Sequence, residues 1–453
     1  MSIVRQDLTR GPIMRGMLLF ALPMIAGNLL QQCYNIADTL IVGRVLGIAA
    51  LGAVGSAFSL MTFVTSVLIG LCMGSGALFS IQWGRRDTQA LRGGVFDAFV
   101  LIGAAACVVT VLCFALTDSL RGLLQVPREV WEPMRGYLIC VFWGIPAVFL
   151  YNYYACVLRA IGNSVTPLIF LAVCAAANIA LDLWFVAVLR LGTWSAGAAT
   201  AAAQWLSGAG LAIYSERKAP ANVSVIRNAQ PIRRSRLREI MSFSFLTCLQ
   251  QSVMNLGILM VQGLVNGFGV TIMAAFSAAV KIDAFAYMPV QDFGNAFSTY
   301  IAQNYGARRS ERIRRGFRGA AGTSVAFSAG VSALVCWFAP ELMGLFTAGQ
   351  DLAVVEAGSA YLRIEGPFYF AIGILFLLYG LYRALARPGF SVVLTVVSLG
   401  TRVALAYWLS GTAMGADGIW WAVPIGWILA DTVGLVYFAL RKREFVPDTT
   451  RRD

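Results

Sequence analysis

Asn28-Leu29-Leu30-Gln31-Gln32-Cys33-Tyr34-Asn35-Ile36-Ala37-Asp38 lies within an apolar run from Gly16 to Val42 that is long enough to cross a bilayer. Asn28, Gln31 or Gln32, Asn35 and Asp38 recur every three or four residues, so on a helix they form one polar stripe. A carboxylate at membrane depth costs ~2.5–3.5 kcal/mol on insertion scales, and it therefore faces a protein interior or a wet cavity. The stretch predicts a transmembrane helix carrying a functional acid, Asp38, and it sends the reading outward in search of a partner acid.

The chain around it is a membrane chain. Of 453 residues 58% are hydrophobic and only 13% charged, against about 25% charged in soluble globular proteins. Apolar runs of more than twenty residues follow one another to the end. The first follows Arg5, Arg10 and Arg15 but is too long for a signal-peptide core, and it reads as a retained helix. All nine cysteines fall inside apolar runs without metal-ligand spacing, which fits small buried side chains. There is no histidine, so carboxylates must do any proton chemistry. Without histidine, a metal-ligand cluster or a nucleophile arrangement, an enzyme is not expected, and no cofactor is called for beyond a coupling ion.

Breaks between apolar runs predict twelve helices, at roughly 16–42, 50–82, 93–117, 134–158, 166–189, 195–214, 240–266, 274–303, 316–339, 357–382, 389–410 and 417–440. Gly70, Gly74 and Gly76 suggest bends in the long second helix. The net charge of +13 is explained by topology: 27 of the 35 basic residues fall in the termini and alternate loops that the positive-inside rule assigns to the cytoplasm. Both termini are then cytoplasmic, in a multi-pass protein of the plasma (inner) membrane. The basic residues are not a nucleic-acid surface.

The stretch 215–239, with Pro220, Pro231 and Arg233-Arg234-Ser235-Arg236, reads as a flexible cytoplasmic linker between an N-terminal six-helix lobe (1–214) and a C-terminal one (240–453). The lobes repeat. Trp83-Gly84-Arg85-Arg86 returns 222 positions later as Tyr305-Gly306-Ala307-Arg308, and Tyr137-Leu138 and Arg159-Ala160 return 224 positions later as Tyr361-Leu362 and Arg383-Ala384. Leu30-Gln31-Gln32 returns as Leu249-Gln250-Gln251. Repeats of like orientation imply an axis along the membrane normal and a substrate path between lobes.

The partner acid is Asp182. It sits four residues after Asn178 and shares a helix face with it. From Pro167 to Asp182 is a rise of about 22 Å, which places Asp182 in the outer half of the membrane, as Asp38 is. Thr200, within Gly197-Ala198-Ala199-Thr200, lies among small residues that permit close helix approach. In the repeat, Asp38 falls opposite Gly257, Asn178 opposite Arg402 and Asp182 opposite Ala406, so this acid pair occurs once. Facing one pocket, the acids would compete for ionisation, and a cation could displace a shared proton. Hard oxygen donors from Asp38, Asn178, Asp182 and Thr200 suit H⁺ or Na⁺ alike. The plainer alternative is two helix-end aspartates satisfied by local hydrogen bonds. Lys281 with Asp283, and Arg363 with Glu365, read as local pairs near the outer surface. Gln31, Tyr34, Asn35, Gln251, Asn255, Lys281 and Asp283 are candidates for a substrate cavity.

These residues resemble the multidrug and toxic compound extrusion (MATE) transporters over essentially the whole chain. The resemblance is carried by Pro23 ahead of Asp38, Asp38-Thr39-x-x-Val42-Gly43, Gln82-x-Gly84, Asn178-x-x-x-Asp182, Gly197-Ala198-Ala199-Thr200 and Gln303-Asn304-Tyr305-Gly306-Ala307. It implies an all-α membrane fold of two pseudo-symmetric six-helix bundles in a V, and efflux of cationic or amphipathic compounds in exchange for H⁺ or Na⁺. It also implies that Asp38, Asn178, Asp182 and Thr200 line the ion site of the N-terminal lobe, with Pro23 letting the first helix bend. The resemblance further implies small-molecule and lipid partners; the expected state is a monomer. Some members carry a Glu on the seventh helix, where this chain has Gln250 and Gln251, which tilts coupling towards the N-terminal lobe. A lipid-linked precursor flippase of the same superfamily is the alternative.

Overall fold

Hydrocarbon offers the backbone no hydrogen bonds, so a chain this apolar must satisfy its amides within each segment. The computed structural model describes residues 6–119, 128–347 and 352–445, and among them the regular structure is helical with no strand. The first three predicted segments are α1 (Ile13–Leu46), α2 (Ile48–Arg85) and α3 (Thr88–Ala115). The fourth is a broken span, α4 (Arg128–Phe142) and α5 (Ile145–Ala160), bent by 44° at the Trp143-Gly144 step before Pro146. The fifth is α6 (Val165–Asp182), which runs on as a π-turn over Leu183–Val188, and the sixth is α7 (Thr193–Lys218). The second half gives α8 (Arg234–Asn266), α9 (Val270–Gly306), α10 (Ser310–Trp337) and a short α11 (Ala339–Thr347). It continues with α12 (Leu352–Glu365), a 3-10 turn at Gly366–Phe368, α13 (Tyr369–Ala384), α14 (Pro388–Ser410) and α15 (Ala416–Phe445).

Ten of these stretches are long and apolar enough to cross a membrane, and the bent pair α4–α5 makes an eleventh. The remaining predicted segment is α7, 26 residues whose alanines and glycines are less apolar than leucine but allow close packing. The breaks inside the fourth and tenth segments were visible as Gly144-Ile145-Pro146 and Gly366-Pro367, yet periodicity alone joined them across each break.

Contacts divide the chain into two units. One is built on Leu22–Cys248 and the other on Leu8–Ala21 together with residues from Leu249 onward. Each unit repeats the other's turns at the offsets found in the sequence. Arg86 and Arg308, 222 apart, both take left-handed backbone (φ 59° and 56°) after α2 and α9. The same pair of backbone bonds closes both turns: Arg86 N to Trp83 O at 3.0 Å and Asp87 N to Gln82 O at 3.1 Å, then Arg308 N to Tyr305 O at 3.1 Å and Arg309 N to Asn304 O at 2.9 Å. Gly162 and Ala386, 224 apart, share positive φ as well (89° and 59°).

Two expectations change. The glycines of α2 do not break the helix, which is continuous from Ile48 to Arg85, and Gly70 and Gly74 serve as packing surfaces. A Cβ on Gly70 would lie 2.6 Å from the Cys248 Cα, and one on Gly74 would meet the backbone of Phe243 and Ser244, so α2 and the start of α8 touch backbone to backbone. The linker is not a free tether either. The Glu216 carboxylate accepts from Tyr154 Oη at 2.9 Å, from the amides of Val225 at 2.8 Å and Ile226 at 3.3 Å, and from the Ser224 hydroxyl. Arg236, from the basic run, donates at 2.7 Å to the fully buried Asp97 of α3. Breaking such a pair strands a buried charge. In the second unit the approach to α1 is held likewise, by Arg312 and Asn304 on the carbonyls of Leu8, Arg10 and Gly11.

Ala386 occupies a conformation that costs an L-residue roughly 1–2 kcal/mol, and its repeat counterpart is glycine. Ala386→Gly is therefore expected to stabilise the protein by about 0.5–1 kcal/mol after glycine's entropy is counted. Gly162→Ala, whose Cβ would strike the Gln6 carbonyl, is expected to destabilise it. Thermal unfolding of the two variants in detergent measures both signs.

Candidate functional site

The site grows out of α1, α4, α6 and α7, all contributing from the first unit. Asp38 is eight per cent exposed, and Asp182, the last residue of α6 before the π-turn, is fully buried. Their carboxyl groups come within hydrogen-bonding reach of each other. An ionised carboxylate has acceptors only, so that contact is favourable only with a shared proton or a cation between them. Asp38 Oδ1 and both Asp182 oxygens are buried without a hydrogen-bond partner, and so is Asn178 Oδ1. Among the described residues neither acid has an ion-pair partner.

The neutral ligands close around them. Asn178, also buried, donates through Nδ2 to Thr200 Oγ1 at 3.4 Å. Tyr137 of α4 is buried and comes within hydrogen-bonding reach of Thr200, and the charges of both carboxyl groups bear on it. Tyr34 of α1 is buried and lies within hydrogen-bonding reach of Gln31. The four predicted ion-site residues thus come together within one unit. Helix spacing found Asn178 and Asp182, but Tyr137 escaped it. Its one sequence signal was membership of the repeated Tyr-Leu pair, which had not been connected to the acids.

The donor set fits a small hard cation. Two carboxylates, an amide oxygen and a hydroxyl offer oxygen alone, with no nitrogen or sulfur that would favour a transition metal. Among the described residues no group of three His, Cys, Asp or Glu side chains is placed to hold a metal ion. A π-turn directly after Asp182 is the kind of helix irregularity that recurs at functional positions.

The wider cavity candidates are less uniform. Gln31 is exposed and Asn35 half-buried, its amide directed to Gln32 Oε1 at 3.4 Å within α1. Gln251 and Asn255 of α8 are half-buried in the second unit. Lys281 is exposed while Asp283 is buried, and Arg363 is exposed while Glu365 is buried. The expected local pairs therefore do not form, because residues two apart on a helix face different sides.

Asp283 and Glu365 instead meet each other. Asp283 accepts from Tyr361 Oη at 2.6 Å and from the Tyr369 hydroxyl, and Glu365 lies within hydrogen-bonding reach of it. Arg402 of α14 contributes to the electrostatic field at both, but it forms no ion pair with either, and its buried Nε makes no hydrogen bond. Each unit thus holds one buried acid pair. Sequence reasoning missed the second because it paired each acid with its nearest cation along the chain.

Many membrane-crossing helices, arranged as two repeated units each burying a pair of acids, define a multi-pass transporter fold. The sequence model of the MatE family matches residues 23–184 and again 244–408, one stretch for each repeat, and the chain belongs to that family. It is 26% identical over 432 residues to a probable multidrug resistance protein of Bacillus subtilis, YpnP, covering 95% of this chain and 96% of that one. It is 23% identical to the probable multidrug resistance protein NorM of Thermotoga maritima, covering 95% and 93%. The fold matches the outward-facing structure of a multidrug resistance MATE family transporter of the MOP superfamily with a TM-score of 0.92, at 22% identity over 98% and 99% of the two chains.

Buried carboxyl groups short of hydrogen-bond donors cost stability. Asp182→Asn supplies an amide donor to Asp38 and removes one like charge. The variant is expected to be more stable than the wild type by about 1–3 kcal/mol in sodium-free buffer at neutral pH. Differential scanning fluorimetry in detergent tests this, and a lowered melting temperature would contradict it.

Proposed function

We propose that this protein is a secondary active multidrug efflux antiporter of the bacterial plasma membrane. It exports cationic or amphipathic organic compounds in exchange for H⁺ or Na⁺. The observation that carries this reading is the Asp38–Asp182 pair, buried together with three carboxylate oxygens lacking a donor and, among the described residues, no basic side chain paired to either acid. Kinship with proteins named for multidrug resistance supports the substrate class.

Asp38 and Asp182 hold the exchanged ion, Asn178 and Thr200 complete its oxygen shell, and Tyr137 orients Thr200. Binding of a cation neutralises the pair and removes the repulsion between the two carboxyl groups. It is thereby linked to the conformation of the helices that carry them, and what a cation does to drug affinity the drug must do to cation affinity. Pro23 leaves α1 one backbone hydrogen bond short, a point at which that helix bends as the pair gains or loses charge. Gln31, Tyr34, Asn35, Gln251, Asn255, Lys281 and Asp283 contribute to the substrate path. The protein works as a lipid-embedded monomer with both termini cytoplasmic, needs no cofactor beyond its coupling ion, and performs no covalent chemistry.

Proteoliposomes with separately imposed pH and Na⁺ gradients test the proposal. Wild-type protein should move ethidium against its gradient under one ion or the other, and Asp38→Asn or Asp182→Asn should reduce gradient-driven efflux at least 100-fold with expression retained, a loss of about 2.7 kcal/mol of coupling. Full transport by both variants would remove the mechanism. A chain that moves no dye but translocates lipid-linked sugars would be a flippase.

A further inference from the structure

The stretch between α7 and α8 has a fold of its own that ion exchange does not use. Glu216, near the end of α7, gathers it, because its carboxylate takes the amides of Val225 and Ile226 and the Ser224 hydroxyl. Asn228 is buried and donates to the carbonyls of Ala221 at 2.7 Å and Ser224 at 2.6 Å. Farther on, Arg236 donates to the Pro231 carbonyl at 3.1 Å as well as to Asp97. A segment tied at so many points holds its outward side chains in fixed places.

Those side chains are of two kinds. Ile226 is 73% exposed and Ile232 48%. Around them Arg217, Arg227, Arg233, Arg234 and Arg238 are exposed, and among the described residues they make no ion pair. Glu216 is turned to amides and hydroxyls, which leaves Glu239 as the one exposed acid between residues 215 and 239.

The depth of the segment follows from α3, whose 28 residues rise about 42 Å, the thickness of a bilayer with its headgroups. Gly93, five residues from the start of α3, is about 8 Å in, where headgroups meet hydrocarbon. A Cβ on Gly93 would lie 2.6 Å from the Arg236 guanidinium carbon and 2.7 Å from Gln230 Nε2. The segment therefore lies alongside the first turns of a membrane helix, at headgroup level. The flanking helices place their arginines to match. On α7, Leu206, Ile213 and Arg217 follow at spacings of seven and four and are exposed on one face. On α8, Arg234, Arg238, Met241 and Phe245 follow at spacings of four, three and four, again exposed on one face. Each exposed apolar stripe ends in arginine.

We propose that this segment is a binding surface for anionic phospholipid headgroups, with Ile226 set into the leaflet and Arg227, Arg234 and Arg238 holding phosphates. A guanidinium meets a phosphate through parallel N–H donors. Basic residues around an apolar anchor draw a segment to an anionic leaflet. The pinned backbone strengthens binding, since an anchor already ordered loses little entropy when it docks. The lipid site stands whether H⁺ or Na⁺ is exchanged at Asp38 and Asp182.

The full chain is purified in a mild detergent and titrated with phosphatidylglycerol or phosphatidylcholine, and bound lipids are counted by native mass spectrometry. Wild-type protein should retain phosphatidylglycerol in preference. The triple variant Arg227→Gln, Arg234→Gln, Arg238→Gln spares the Arg236–Asp97 pair and should weaken that preference about ten-fold. A second triple variant, Arg308→Gln, Arg315→Gln, Arg318→Gln, removes three exposed arginines around the start of α10 and should keep it. Equal loss in both variants would mean that charge alone attracts lipid, and it overturns the proposal. In nanodiscs, the thiol introduced by Ile226→Cys should react with an uncharged polymer maleimide about ten-fold more slowly when phosphatidylglycerol replaces phosphatidylcholine. Peptide mapping separates this thiol from the native cysteines. Reactivity that does not depend on the anionic lipid overturns the proposal and leaves the segment to a soluble acidic partner. If the first triple variant does not fold, the Ile226→Cys arm decides the matter with every arginine in place.

Discussion

Two carboxyl groups buried against each other without a fixed positive charge are the constraint on which the rest of the first unit depends. Water cannot stabilise them there, and like charges at that separation repel strongly in a medium of low dielectric. The pair is tolerable only when a proton or a metal cation lies between the groups. The surrounding structure keeps that requirement alive by offering oxygen atoms and withholding amines. Asn178 and Thr200 bind each other through one hydrogen bond and leave the amide oxygen free for the chamber.

The scaffold holds this arrangement through close packing. Small residues let helices meet backbone to backbone, as where Gly70 and Gly74 of α2 receive the start of α8. Gly197, next to the Thr200 segment, lies against the Tyr137 carbonyl, and a Cβ there would be 2.6 Å from it. The side chains that line the chamber are therefore fixed by neighbours that cannot move apart without losing contact along whole helix faces. Outside the chamber, the linker and the approach to α1 are tied to their units by buried or carbonyl-directed charges, Arg236 on Asp97 and Arg312 on three carbonyl groups. Basic residues that topology places in loops thus also fasten those loops.

The internal repeat explains why one chain has two polar chambers of different character. Backbone geometry is shared down to left-handed residues at equivalent turns. Side chains have diverged on that common frame: Asn178 against Arg402, Asp182 against Ala406, with the acids of the second unit arriving from α9 and α12 instead. A duplicated fold can keep its backbone frame while the polar residues buried on it diverge.

Much of this was legible in the sequence because it follows from short-range or compositional rules. Apolar length dictates spans, since a backbone in lipid has no alternative to the helix, and a polar stripe with one acid at helical spacing marks an inward face. Asp38, and the Asn178–Asp182 face, could be named from periodicity alone. The breaks at Gly144 and Gly366 are local Gly and Pro chemistry that periodicity passes over. The meeting of Asp283 with Glu365 and with Tyr361, 78 residues away, lay beyond it because it depends on which helix packs against which. Proximity along the chain pointed Asp283 to Lys281, whereas tertiary packing sent Lys281 to the surface and gave Asp283 two tyrosines. The sequence alone determined that the chain crosses the membrane many times as helices, and which residues could not face lipid. Tertiary structure decided their partners, because burial selects the nearest group in space.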